Sequence, residues 1–168
     1  RYNKIYVTSY EGEHYKIFGE SNLRVRLLQS LDGINFNQIS DLPQYTGGVS
    51  EVAFEFDSNG DFWGVSRNED GDKSGFGSHL IFANNDSIHQ WDIYNTSKNI
   101  FMSPRMLRHG NDIYLIARRN KGSLPFGFMP KIFPKFIQRA FNWLKFTTSA
   151  KTTSLYKIKK GLKEIEYL

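Results

Sequence analysis

The chain contains no cysteine. That removes disulfides, thiolate nucleophiles and cysteine-based metal sites, while leaving the compartment undefined, since many exported proteins also lack the residue. Proline is scarce, with five in 168 residues against fourteen glycines, so the chain is no low-complexity segment. No run is apolar for the roughly 20 residues that a membrane-spanning helix needs. Histidines are few and scattered at His14, His79, His89 and His109, without metal-ligand spacing. The acidic run NEDGD (68–72) resembles a calcium loop, but lacks the downstream glutamate an EF-hand requires. GFGSHL (75–80) has neither the lysine nor the strand-to-helix context of a phosphate-cradling loop. The sequence opens at Arg1-Tyr2 without a methionine. We therefore expect a piece of something longer, and the lack of a leader carries no weight.

What is abundant is aromatic side chain: fourteen Phe, nine Tyr and three Trp, 15% of the chain. Such content suits β-rich packing. Alternation of apolar and polar residues predicts short strands at 4–10, 14–19, 23–30 and 34–39, then at 50–56, 61–67, 78–83 and 89–94. A third set falls at 103–109, 112–118, 152–158 and 162–168. These are three groups of four, at a period of roughly 50 residues, the range of propeller blades and solenoids.

The groups also match one another. DFWGVSR (61–67) aligns with DIYLIAR (112–118), placing Arg67 over Arg118 and Trp63 over Tyr114. QSLDGINFNQI (29–39) puts a hydroxyl, a carboxylate, a glycine and a ring in the turn between the third and fourth strands of the first group. Asp-Gly is a strong hairpin signal because glycine accepts positive φ. Asp32 and Ser30 can take the turn's N–H groups, and Phe36 is expected to bury its ring beneath it. Asn84, Asp86 and Trp91 repeat the arrangement in the second group, and Lys160-Gly161 is its remnant in the third.

These turns resemble the Asp boxes, Ser-x-Asp-x-Gly-x-x-Trp, of the sialidases and related BNR-repeat β-propellers. SLDGINF is one residue short between Asp and ring and has Phe for Trp; NNDSIHQW keeps the spacing but has Ile88 in place of Gly. The resemblance covers most of 1–119 and resumes at 151–168. It implies an all-β propeller of about six blades, of which this chain would hold three, at about 1–45, 46–98 and 99–168, with an insert at 121–151. It also implies a carbohydrate ligand, a secreted or cell-surface setting, and the remaining blades or another chain as partners, with no cofactor and no metal. Asp boxes sit on the blade periphery and act as turn clamps, so chemistry must come from elsewhere.

Sialidases grip the substrate carboxylate with arginines, whose planar forks pair bidentately, and use a Tyr nucleophile activated by Glu. The family places that Glu at the start of a blade and an Arg at the end of the second strand, and Glu51 and Arg67 match. The resemblance makes Glu51 the Tyr-activating residue and Arg67, Arg118 and Arg105 substrate ligands. The competing reading pairs Arg67 with a rim carboxylate, Glu69 or Asp70. Tyr10, Tyr15 and Tyr45 lack the nucleophile's context, and the Phe-Arg-Ile-Pro motif is absent. A complete sialidase site is not expected within these residues, and a non-catalytic binding or assembly scaffold is the rival function.

The charge is concentrated. Segment 121–151 holds six Lys/Arg and no acid, whereas the rest carries sixteen basic and seventeen acidic residues. The net charge of +5 is therefore no nucleic-acid footprint. Within the insert, 134–146 has helical spacing, with Pro134 suited to a first turn. Phe136, Ile137, Ala140, Phe141 and Leu144 form one stripe, and Lys135, Arg139, Asn142 and Lys145 lie opposite. A basic helix with Trp and Phe is the composition of an interfacial membrane helix. The plainer expectation is that the stripe packs on the sheets or a partner domain.

Overall fold

The computed structural model describes residues 3–14, 16, 19–94, 99–121 and 132–168. Among the described residues the chain is all-β apart from one α-helix and one 3-10 turn, and the strands form three four-stranded antiparallel sheets. The first contains β1 (Ile5–Glu11), β2 (Leu23–Ser30), β3 (Asn37–Gln38) and β4 (Tyr45–Gly47), with β1, β3 and β4 all pairing to β2. The second is β5 (Val49–Phe56), β6 (Phe62–Asn68), β7 (Leu80–Ala83) and β8 (Asp92–Tyr94), in chain order. The third is β9 (Met102–His109), β10 (Asp112–Asn120), β11 (Lys151–Lys159) and β12 (Glu164–Tyr167), also in chain order.

The middle sheet is buried on both faces because the pleat of β6 sends alternate side chains to opposite cores. Phe62 joins Val25, Leu27, Val52 and Ile81 against the first sheet. Trp63 and Val65 join Leu80, Ile113, Leu115 and Tyr156 against the third. Phe62 is the hub of the first core, stacked between Phe54 and Trp91 at ring separations of 5.1 Å each. The edge strands β1, β5 and β9 lie side by side: Thr8 Oγ1 donates to the Val52 carbonyl at 2.7 Å, and Tyr6 meets Phe56 edge-on at 5.1 Å.

The first group departs from its expected pattern. Tyr15 and parts of 14–19 and of the insert lie outside the described residues. His14, Lys16 and Gly19 belong to no strand, and β1 pairs directly with β2 from Ile5↔Ser30 to Glu11↔Arg24. The carbonyls of Lys16 and Gly19 accept from Arg139 instead of from a ladder. The 34–39 strand shrinks to two residues, and β4 takes up the rest of that edge.

The Asp32 turn forms as a clamp. Asp32 Oδ1 accepts from the Ile34 and Asn35 N–H groups at 2.9 and 2.8 Å, and Ser30 Oγ from Gly33 N at 2.9 Å, with Gly33 at φ 75°. These bonds hold the Asp32 carboxyl well below the usual range. Phe36, however, stays 37% exposed. With one residue fewer between Asp and ring, it does not tuck under the turn as Trp91 does, whose indole N–H donates to the Ile88 carbonyl at 3.1 Å.

Helix α1 (Lys135–Thr148) fills the expected 134–146 span and leaves the sheet between adjacent ladder partners, Asn120↔Lys151, with Lys121 N donating to Ala150 O at 2.7 Å. An excursion that leaves and returns at neighbouring points of a ladder disturbs little. The plainer expectation, that the apolar stripe packs on the protein, holds for only part of the stripe. Asn142 is 3% exposed and Arg139 half-buried, while Phe136, Trp143 and Leu144 are 41%, 59% and 55% exposed. Ile137 and Phe141, also of the apolar stripe, are half-buried. Arg139 and Asn142 of the polar side turn toward the protein, where Arg139 finds three carbonyls: Lys16 O at 2.6 Å, Gly19 O at 2.9 Å and Asp70 O at 3.0 Å.

Candidate functional site

A cleft of about 270 Å³ opens along the adjoining edges of β1, β5 and β9. Thr8 and Tyr10 line it from β1, Ser50 to Ala53 from β5, and Ser103, Pro104 and Arg105 from β9. Two of the four sequence candidates, Glu51 and Arg105, face this cleft. Tyr10, set aside on sequence grounds, shares it and is 45% exposed. Nothing in the alternation of β1 marks Tyr10; its place follows from β1 lying against β5, a tertiary fact.

Glu51 and Arg67 are cross-strand ladder partners, and Arg67 NH1 donates to Glu51 Oε1 at 2.8 Å. Arg67 NH2 also bonds Glu69, so the fork is shared by two carboxylates. The rim-carboxylate pairing of the competing reading is thus present with Glu69, and Arg67 lies outside the cleft lining. A ligand carboxylate could take this guanidinium only by displacing Glu51 or Glu69. Around it, Asp70 accepts from Ser21 Oγ at 3.1 Å, and His14 Nδ1 lies 3.5 Å from Asp70 and 3.7 Å from Glu69. The His14 ring in turn meets Tyr10 edge-on at 5.2 Å. His14 thus stands between the Tyr10 ring on one side and the Glu69 and Asp70 carboxylates, beside Arg67, on the other.

The repeat equivalence of Arg67 and Arg118 is visible in the ladder. Arg118 pairs with Met102 across β9 and donates to Ser103 Oγ at 2.8 Å, but is exposed and outside the cleft lining. It acts on the cleft through Ser103, which sits at φ 46° beside a break in ladder register. A non-glycine residue in this region, directly before a proline, is uncommon. Backbone held in such a conformation points to a position fixed by its surroundings. Arg105 is exposed and donates to its own Pro104 carbonyl at 2.9 Å. Among the described residues, no carboxylate is paired with its guanidinium.

Beneath the rim lies a second network that the sequence did not reveal. Asp72 Oδ2 is 2.5 Å from Tyr45 Oη and 2.8 Å from His79 Nε2, and Oδ1 accepts from Ser74 N at 2.8 Å. Burial alone would raise the Asp72 carboxyl, but the bonds from His79, Ser74 and Tyr45 hold it well below its usual range. The Tyr45 hydroxyl is pushed up, by burial first and then by Asp72. Asn68 donates to the Gly75 and Gly77 carbonyls, fixing the same loop. A carboxylate with a depressed native pKa stabilises the fold fully above its unfolded value of about 4. That contribution is lost as pH falls toward the native value. Asp72→Asn is therefore expected to flatten the acid side of the stability profile: its urea midpoint should change less between neutral and acidic pH than that of the parent. An unchanged acid slope would count against this role.

Among the described residues, no group of three or more His, Cys, Asp or Glu could hold a metal ion. No family model matches the chain, and neither does any curated protein or solved structure.

Proposed function

We propose that the three sheets are consecutive blades of a sialidase-like β-propeller and that the cleft between their inner edges is its glycan site. The reading is supported most by one observation: the three adjoining edge strands together line a cleft that carries Tyr10, Glu51 and Arg105. An aromatic platform beside hydroxyls, a carboxylate and a guanidinium suits a sugar, whose C–H faces stack on rings while its hydroxyls need paired donors and acceptors. For an acidic sugar, Arg105 is the carboxylate partner and Arg67 the residue that positions Glu51. Tyr10 and Glu51, in one cleft, have the residue types of a glycosyl-transfer pair.

The rival reading, a non-catalytic scaffold, is favoured by the sharing of Arg67 between two carboxylates, which leaves Glu51 in a structural ion pair. Calorimetric titration with N-acetylneuraminic acid and its methyl ester separates these. Binding of the acid should fall roughly tenfold in Arg105→Lys, because Lys cannot form the planar fork, and the ester should be insensitive to the change. Equal affinity for acid and ester, or no effect of Arg105→Lys, would overturn the assignment of Arg105.

A further inference from the structure

We propose that α1 docks the protein onto an anionic lipid surface through its outward face, with the helix lying in the interface. The inference rests on the orientation of the helix and is independent of what the cleft binds. A surface helix ordinarily turns its apolar side inward. Here Arg139 anchors the polar side to the carbonyls of Lys16, Gly19 and Asp70, and Trp143 (59% exposed), Leu144 (55%) and the preceding Ile132 (86%) and Phe133 (42%) are left outward. The arrangement gives up apolar burial at several positions, which a folded chain does where the face has a use.

Charge selects the occupant. In sequence the insert has six Lys/Arg and no acid; in the structure Arg139 is turned inward, whereas Lys121 and Lys135 are exposed, Lys135 at the start of the helix and 3.4 Å from Glu20. A second copy of the chain would bring this cationic segment against itself in a two-fold contact, which is repulsive. An anionic bilayer satisfies both features, taking Trp and Phe at its headgroup level and attracting the lysines. No described helix is long and apolar enough to cross a membrane, so the contact is with the surface. The helix is tied to Lys16, Gly19 and Glu20, which follow Tyr10 and His14 beyond β1, so docking would hold the Tyr10 end of the cleft near the lipid.

Vesicle co-flotation tests this, because aggregated protein does not float. The chain is expected to float with vesicles of equal phosphatidylserine and phosphatidylcholine and much less with phosphatidylcholine alone, and high salt should weaken it. Trp143→Ser with Leu144→Ser should lower binding roughly tenfold or more, and Lys135→Glu roughly fivefold. These side chains are exposed, so the melting temperature should stay within a few degrees of the parent's. Failure to float with anionic vesicles overturns the proposal. So does flotation that the double variant leaves unchanged in a protein that melts as the parent does.

Discussion

Phe62→Ala is expected to cost roughly 3–5 kcal/mol, enough to unfold much of the population of a marginal domain. Phe62 is fully buried, and its ring contacts Phe54, Phe56 and Trp91 at 5.1, 5.9 and 5.1 Å. Truncation would leave a cavity walled by rings fixed on β5 and the loop before β8 and by Val25 and Leu27 of the first sheet, which cannot close without moving elements of both sheets. Phe62→Leu, which retains much of the volume, should cost far less. Urea denaturation of the two variants measures the difference; equal losses would mean that the volume filled at Phe62 does not set the cost.

Gly48→Ala should be nearly as severe, at about 3 kcal/mol or more, for a different reason. A Cβ at Gly48 would stand 2.1 Å from the Gly71 carbonyl oxygen and 2.5 Å from its carbon. Those are backbone atoms, so the 69–72 loop itself must shift. That loop carries Glu69, Asp70 and Asp72, so the Arg67 and His14 contacts should loosen with it. Gly161→Ala, where nothing lies within 4 Å of the added methyl, is the control and should be close to neutral. Urea midpoints for both variants check the contrast, and a Gly48→Ala protein as stable as the parent would contradict the close approach.

The strands were legible where alternation and turn chemistry agreed. Alternation located the 61–67 strand, though not its burial on both faces, and Pro134 marks the helix start within a residue. The 14–19 stretch alternates just as well, yet its described residues serve loops, because the Lys16 and Gly19 carbonyls are claimed by an arginine more than a hundred residues away. The orientation of α1 was hidden for the same reason. Hydrophobic spacing locates the two faces of a helix, but which face turns inward was decided here by carbonyls that only the fold assembles. Glu51 and Arg67 were singled out through the resemblance, and the fold makes them ladder partners. Tyr10, Ser103 and the Asp72–His79–Tyr45 cluster were not, since their neighbours come from separate strands and loops.

The central claim, that the cleft along β1, β5 and β9 is a sugar site, is tested most directly by amide chemical-shift mapping of isotopically labelled protein titrated with N-acetylneuraminic acid. Saturable shifts are expected at Thr8 to Tyr10, Ser50 to Ala53 and Ser103 to Arg105, with those at Ser103 and Arg105 lost in Arg105→Ala. Saturable shifts confined to surfaces away from these three strands, or no shifts at all with any acidic or neutral sugar, would contradict the account.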